Sequence, residues 1–129
     1  MESTLVLVKS DGIAGGNIGN IISRFEQRGF TISDMIMTNP SESHWEAHYM
    51  EHADKDFFGE LIARMVMSGL VVAMQVVGQN AIQCVRQMTG STDASLAAPG
   101  TIRGDYGTSV ECNVVHSSEN AEAAARELA

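Results

Sequence analysis

Short apolar runs and alternating stretches mark four predicted strands along this chain of 129 residues. The β-branched run at residues 4–8 (TLVLV) and the apolar run at residues 70–77 predict buried strands, and the alternation over residues 30–37 predicts another. Residues 113–116 contain a short β-branched pair that predicts a fourth. Because residues 70–77 are apolar on both faces, we expect this strand to be central in its sheet.

The segments between these strands carry apolar residues at intervals of three and four, which predicts amphipathic helices. One such stripe begins at Ile18, and Gly29 suits the position that follows its C-terminal end. Ser43 and Glu46 have the spacing of a capping box, which predicts that a short helix begins there and continues through Tyr49. Further helices are predicted over residues 56–67, 80–88 and 118–128.

The order of these elements predicts the fold class. Residues 89–108 show no clear period, so we expect a long loop with a functional role. The elements follow one another as β-α-β-α-α-β-α-loop-β-α, which is typical of an α/β or split βαβ sandwich with helices over a small sheet. Because the chain has the length of one domain and shows no linker or internal repeat, we expect a single domain over residues 1–129.

Composition and charge exclude several classes of partner. Hydrophobic residues make up 44% of the chain and charged residues 19%, which indicates a globular protein. Asp and Glu total 16 against 8 Lys and Arg, so the formal net charge is −8. Nucleic acids and anionic membranes carry charge of the same sign, and we therefore expect neither as a partner. A phosphate ligand would have to be held by a local cluster of the few cations.

The two cysteines and the apolar segments predict a cytoplasmic location. Cys84 and Cys112 form no CxxC pair and indicate a reduced setting. The N-terminal stretch has an acidic residue, Glu2, and no basic region, so no signal peptide is expected. The longest apolar run is far too short to span a bilayer.

Three cations and one histidine are candidates for chemistry. Lys9 ends the first predicted strand, Arg86 lies on a predicted helix, and Arg103 lies in the long loop. His116 follows a strand and precedes a helix N-terminus, where amide groups attract phosphate oxygens and a neutral imidazole is a usable nucleophile. Taken singly, each of these cations also fits a solvated surface position, and the histidine fits a structural one.

Two other patterns carry less weight. The glycines between Gly12 and Gly16 are followed by no Gly-Lys-Ser/Thr sequence, so they are not a Walker-type phosphate loop. His44, His48 and His52 lie four residues apart and would share one helix face. They have no cysteine companions, and we expect no protein-held metal there.

A series of motifs resembles one known family. In chain order they are KSDG at residues 9–12, RFEQRGF at 24–30, HY at 48–49, FF at 57–58, SG at 68–69, PGTIRGD at 99–105 and NVVHSS at 113–118. Together they resemble nucleoside diphosphate kinases, in family order and nearly family spacing, from residue 4 to residue 127. The combination of PGTIRGD with a histidine in NxxH shortly after it is highly specific.

This resemblance implies a ferredoxin-like sandwich with a small antiparallel sheet. It also implies an enzyme that transfers the γ-phosphoryl group of a nucleoside triphosphate to a nucleoside diphosphate by a ping-pong route. His116 resembles the phosphorylated nucleophile, with Ser118 and Glu127 beside it and Glu127 orienting the imidazole. Mg²⁺ would be carried by the nucleotide, and the chain would form a homo-oligomer with a dimer as its unit, extended to tetramers or hexamers.

The resemblance also assigns the remaining nucleotide-binding residues. Lys9 and Asn113 would reach the ribose hydroxyls, and Phe57 would stack on the base with Val110 on its other side. The residues that resemble the phosphate-side set are Lys9, Tyr49, Arg86, Thr92 and Arg103.

Several departures from the family pattern keep an alternative open. Ser10 stands where the family has Pro, and Ser117 stands where it has Gly, next to the catalytic histidine. The chain as given ends at Ala129, where most members continue with a tail that contacts neighbouring subunits, so a less robust oligomer is expected. The alternative is a catalytically weak nucleotide-binding or regulatory module of the same fold. A nucleic-acid-binding domain is disfavoured by the net charge.

Overall fold

Four strands form one antiparallel sheet in the computed structural model, which describes residues 1–128 and, of these, all side chains except those of residues 51, 67, 68 and 128. The strands are β1 Glu2–Val8, β2 Thr31–Thr38, β3 Val71–Gly78 and β4 Val115–Ser117. The sheet order is β2-β3-β1-β4, so the strand predicted to be central is central, and the predicted fold class is confirmed. The last residue of the predicted domain, 129, lies outside the described residues.

Helices cover both faces of this sheet. Within residues 1–128 no helix is both long and apolar enough to cross a membrane. The helices are α1 Ser10–Ala14, α2 Ile18–Gln27, α3 Glu42–His48, α4 Phe58–Ser68, α5 Ala81–Thr89, α6 Ile102–Tyr106 and α7 Ala121–Leu128, with single 3₁₀ turns at Met50–His52 and Ala94–Leu96.

Two local predictions were wrong in detail. The N-cap of α3 is Ser41, whose Oγ accepts the backbone N–H of His44 at 3.2 Å, and Ser43 lies inside the first turn. The stretch at residues 89–108 contains α6, which Thr101 caps by accepting the N–H of Gly104 at 3.0 Å. In both cases the hydroxyl of the N-cap residue accepts the backbone N–H three residues later, which would otherwise have no partner within the helix.

Alternation along β1 divides the core into two layers. Val6 and Val8 point into the layer with α2 and α5, whereas Leu5 and Leu7 point into the layer with Trp45 of α3. In the short β4 strand, Ser117 pairs with Val6 and His116 pairs with Leu7. Since directly paired residues share a face of the sheet, His116 lies on the α3 side and Ser117 on the opposite side.

Candidate active site

His116 is held by a buried carboxylate at the edge of the sheet. The side chain of His116 is 16% exposed, and its Nε2 lies 3.1 Å from Oε1 of Glu127 on α7. The hydroxyl of Ser118 donates to the same carboxylate oxygen at 2.8 Å and accepts the N–H of Leu5 at 3.2 Å. The imidazole, the carboxylate and the hydroxyl are therefore fixed to β1 as one network.

The charge on Glu127 determines which nitrogen of His116 carries the proton. Burial raises the pKa of Glu127, but its hydrogen bonds to His116 and Ser118 and the charge of His116 outweigh burial and hold the pKa below its ordinary value. An ionised carboxylate only accepts hydrogen bonds, so Nε2 of His116 is the protonated nitrogen of the neutral ring. The lone pair is then on Nδ1, on the side of the ring away from Glu127.

Arg103 is a buried cation with no acidic partner in the part of the chain that the structure describes. The side chain lies on α6 and the residue is 4% exposed; Nη1 donates to the carbonyl of Gly90 at 3.1 Å and Nη2 to the carbonyl of Val115 at 2.8 Å. Among the residues that the structure describes, no carboxylate pairs with it, and its Nε has no hydrogen-bond partner. Burial, and secondarily the charge of Arg86, lowers the pKa of Arg103 to about 10, so it stays charged at neutral pH. An anion would relieve this uncompensated charge.

Lys9 and Asn113 form a polar bridge next to this cation. Nζ of Lys9 donates to Oδ1 of Asn113 at 2.8 Å, and Nδ2 of Asn113 donates to the carbonyl of Thr92 at 3.1 Å. Burial lowers the pKa of Lys9 to about 8; the charges of Arg103 and Arg64 act in the same direction, and that of Asp11 opposes them. The end of β1 and the two loops that carry Thr92 and Asn113 are thus joined at one place.

Residues of the KSDG motif hydrogen-bond to Val114, a strained residue that lies two positions before His116. Val114 has φ of 59°, a left-handed conformation that is unfavourable for a β-branched side chain. Its N–H donates to Oδ2 of Asp11 at 3.0 Å, and its carbonyl accepts the N–H of Lys9 at 2.8 Å. A Cβ on Gly12 would lie 2.9 Å from Cγ1 of Val8 and 3.0 Å from that carbonyl, so glycine suits this close approach better than any residue with a side chain. Sequence reasoning assigned no role to Asp11, because its partner is distant in the chain.

Two aromatic residues of the α3 layer pack against His116. The ring centroids of His48 and His116 are 4.6 Å apart, edge to face, and those of Tyr49 and His116 are 6.2 Å apart. Burial, and then the charge of His116, lowers the pKa of His48 to about 3, so His48 is neutral. The helical spacing of His44, His48 and His52 pointed to a shared face, whereas the structure brings His48 to the catalytic candidate instead.

The remaining predicted residues lie around this centre. Phe57 is 47% exposed at the start of α4, where its ring contacts His52, and Val110 is similarly exposed between α6 and β4. Arg86 lies half-buried on α5, near enough for its charge to lower the pKa of Arg103. Ser117 is buried on the far face of β4, so its hydroxyl is directed away from the face that His116 occupies.

The fold and the site define a class of protein: an α+β sandwich whose sheet edge presents an oriented histidine beside buried cations. The family model for nucleoside diphosphate kinase matches residues 2–129. A nucleoside diphosphate kinase of Rubrobacter xylanophilus is 50% identical over 99% of this chain and 96% of its own length. The chain belongs to the nucleoside diphosphate kinase family, and it transfers phosphoryl groups between nucleotides.

Solved structures agree with this membership. The nucleoside diphosphate kinase of Encephalitozoon cuniculi superposes with a TM-score of 0.95 at 38% identity, covering 99% of this chain and 86% of that one. A halophilic nucleoside diphosphate kinase from Halobacterium salinarum in complex with CDP superposes with a TM-score of 0.92 at 43% identity, covering 98% of this chain and 84% of that one.

Proposed function

We propose that His116 carries the phosphoryl group between a nucleoside triphosphate and a nucleoside diphosphate. The observation that supports this most is the hydrogen bond between Nε2 of His116 and the buried carboxylate of Glu127. It leaves the lone pair of Nδ1 available, and it stabilises the positive charge that the ring gains when Nδ1 bonds to phosphorus. Ser118 holds the carboxylate in place.

The reaction proceeds in two half-reactions at one site. In the first, the Nδ1 lone pair attacks the γ-phosphorus in line, the bond to the β–γ bridging oxygen breaks, and the nucleoside diphosphate leaves with that electron pair. In the second, a terminal β-phosphate oxygen of another diphosphate attacks the phosphohistidine and restores the free imidazole. Phosphoryl transfer depends mainly on positioning and charge neutralisation, which this rigid site supplies.

The cations around His116 bind the phosphates in this proposal. Arg103 is anchored one residue from His116 through the carbonyl of Val115, and it lacks a carboxylate that would compete for its charge among the residues described. Arg86 adds a second guanidinium, whose fork geometry suits phosphate oxygens. Tyr49 and Thr92 contribute their hydroxyls to the same phosphates.

In this proposal the nucleoside is bound by hydrogen bonds to its sugar and by stacking on its base. Lys9 and Asn113 already hydrogen-bond to each other, and both can turn to the ribose hydroxyls. Phe57 offers an exposed ring face on which any base can stack, with Val110 on the other side of the base. Discrimination should therefore be strong for the sugar and weak for the base.

Mg²⁺ enters bound to the nucleotide in this proposal. The groups near the proposed phosphate position, Lys9, Arg103 and Asn113, are cationic or amide side chains, which fit phosphate oxygens and offer Mg²⁺ no carboxylate ligand. Mg²⁺ commonly keeps waters and substrate phosphates as ligands. When bound, it neutralises phosphate charge that Arg103 and Lys9 do not reach.

A dimer is the proposed assembly unit, as the family resemblance implies. The edge strand β2 exposes Met35, Ile36 and Met37, each about half exposed, beside its unpaired backbone edge. Edge strands with apolar side chains readily pair with another chain. We place the single domain of residues 1–129 in the cytoplasm, where its two free cysteines, Cys84 and Cys112, would remain reduced.

The alternative, a catalytically weak module of the same fold, is not favoured. It depended on Ser117 and on the tail with which most members continue, and the side chain of Ser117 is buried on the face opposite His116. The contacts of His116 with Glu127 and of Arg103 with the carbonyl of Val115 support transfer instead.

A phosphoenzyme assay tests the proposal. Protein incubated with γ-labelled ATP and Mg²⁺ should acquire one acid-labile, base-stable phosphate per chain, and a diphosphate should remove it as triphosphate. His116→Ala should take up no label and lose on the order of 10⁴-fold or more in turnover. His44→Ala, an exposed histidine of the same layer, is the matched control. Labelling of His116→Ala, or none of the wild type, would contradict the proposal.

A further inference from the structure

His48, His116 and Glu127 form a cluster of metal-ligating groups around the nucleophile. One nitrogen of each ring and one carboxylate oxygen lie within 4.8 Å of one another. The three residues come from α3, β4 and α7, so the cluster is fixed by tertiary structure and not by spacing on one helix. The proposed transfer reaction assigns a role to His116 and to Glu127, but it assigns none to the ring nitrogens of His48.

The Nε2 atom of His48 is a buried polar atom that the transfer reaction does not explain. His48 is 8% exposed, and within the described chain its Nε2 has no hydrogen-bond partner. Trp45 and Tyr49 flank the ring edge to face, which holds it against His116. A buried polar atom without a partner is costly, typically about 1–3 kcal/mol. A ligand that accepts the Nε2 lone pair would remove this cost.

The donor set fits a divalent transition metal better than it fits Mg²⁺. Two imidazoles and a carboxylate are the protein ligands of many zinc sites that keep one position open, whereas Mg²⁺ prefers oxygen ligands. Donors bound to one Zn²⁺ lie roughly 3.3 Å apart in a tetrahedron. The distance of 3.1 Å between Nε2 of His116 and Oε1 of Glu127 is close to this value. The other donor separations in the cluster are at most 4.8 Å, so side-chain movements of up to about 1.5 Å would bring all three donors to this spacing.

We propose that His48, His116 and Glu127 form an inhibitory site for a divalent transition metal of the Zn²⁺ class. The ion replaces the proton on Nε2 of His116, which is released to solvent, and the carboxylate becomes a ligand. The fourth position is left to water. Binding itself is independent of the reaction; its inhibitory effect rests on the proposed function, because a metal on Nε2 withdraws electron density from Nδ1.

Metal binding is measured first, without nucleotide. Wild-type protein is titrated with Zn²⁺ against a chelating indicator in excess Mg²⁺, and with Co²⁺ while its visible absorption is recorded. We expect one Zn²⁺ per chain and the intense bands of four- or five-coordinate Co²⁺. His48→Gln should weaken binding at least tenfold. His44→Gln, which changes an exposed histidine on the same helix, should bind like the wild type.

A second measurement uses the wild-type protein alone, so that it does not depend on the folding of a variant. In protein labelled with ¹⁵N-histidine, saturating Zn²⁺ should shift the resonances of Nε2 of His116 and of one His48 nitrogen. Equal Zn²⁺ affinity of wild type and His48→Gln, or unchanged resonances of both rings, would overturn the site. If the site binds Zn²⁺ as expected but exchange is not inhibited at saturation, the inhibitory role is wrong. Failure of phosphoenzyme formation would instead count against the proposed function.

Discussion

At the end of β1, the amine of Lys9 lies in surroundings that disfavour its charge. Burial lowers its pKa to about 8 in the free protein. Nucleotide phosphates add negative charge next to it and raise that pKa again. Below pH 8 the amine of Lys9 is already protonated in the free protein, so nucleotide binding takes up no proton at Lys9. Above pH 8, binding must protonate it, so nucleotide affinity should be level up to about pH 8 and fall at higher pH.

Calorimetry of diphosphate binding in buffers of different ionisation enthalpy checks this. Proton uptake attributable to Lys9 should be small at pH 7 and approach one proton per chain near pH 9. Lys9→Met should abolish this uptake, and Lys55→Met, which changes the other lysine of the chain, should retain it. Equal uptake by wild type and Lys9→Met at pH 9 would show that another group titrates.

In the proposed mechanism, Glu127 acts on the reaction through the imidazole of His116, to which it is hydrogen-bonded. Glu127→Gln keeps the size of the side chain but removes the charge that stabilises the ring after Nδ1 is phosphorylated. We expect kcat to fall about 10–100-fold with little change in the KM for nucleotide, because the phosphate-binding cations are untouched. Glu122→Gln, an exposed position on the same helix, is the control. A rise in KM with unchanged kcat would contradict the orienting role.

Some site residues could be predicted from the sequence, and others could not. His116, Arg103 and Asn113 stand in dense local motifs, and the structure brings them together with Lys9. The contact of His48 with His116 depends on how α3 packs over β4, which no local pattern encodes.

At the scale of elements, Arg24 on α2 holds the segment that carries Arg103. Its guanidinium donates to the carbonyl of Gly100 at 2.9 Å, pairs with the carboxylate of Asp105, and donates to the hydroxyl of Tyr106 at 3.2 Å. The N–H of Gly100, followed by Arg24, lowers the pKa of Asp105, so the pair remains ionised. This clamp links the RFEQRGF and PGTIRGD motifs across 81 residues of chain.

Arg24→Met should loosen α6 and misplace Arg103. A displacement of about 1 Å in a phosphate-binding group can lower kcat/KM by up to roughly 100-fold, and we expect a loss between 10-fold and 100-fold here. Steady-state exchange assays measure it, with Arg28→Met, an exposed residue that follows the same helix, as the control. Wild-type kcat/KM in Arg24→Met would mean that the segment is held by other contacts.

The bounds of a helix or strand were predicted most accurately where the local hydrophobic pattern is strong. The apolar period predicted β3 and α2 to within about two residues, because core burial and spacing agree there. The short helices α1 and α6 were missed, because each has five residues and is held by contacts distant in the sequence. Asp11 bonds to Val114, and Arg24 bonds to Asp105, across more of the chain than a sequence pattern spans.

In the whole molecule, the edge strand β2 favours dimerisation and the net charge opposes it. The exposed apolar side chains of β2 favour pairing with a second copy, whereas a charge of −8 per chain repels it over a Debye length of about 8 Å at physiological ionic strength. Ile36→Glu would place like charges across a symmetric interface. By sedimentation equilibrium we expect dimers of the wild type and of Met50→Glu, which changes an equally exposed methionine outside β2, but monomers of Ile36→Glu. A dimeric Ile36→Glu protein would exclude β2 from the interface.

The atom that carries the phosphoryl group in the phosphoenzyme is the decisive property of the proposed mechanism. Protein labelled with ¹⁵N-histidine is phosphorylated with ATP and Mg²⁺, separated from nucleotide at alkaline pH, and examined by NMR for ¹⁵N–³¹P coupling. We expect a single phosphohistidine in which phosphorus is bonded to Nδ1 of His116, with Nε2 still hydrogen-bonded to Glu127. Phosphorus on Nε2 of His116, or on another residue, would show that the proposed mechanism is wrong.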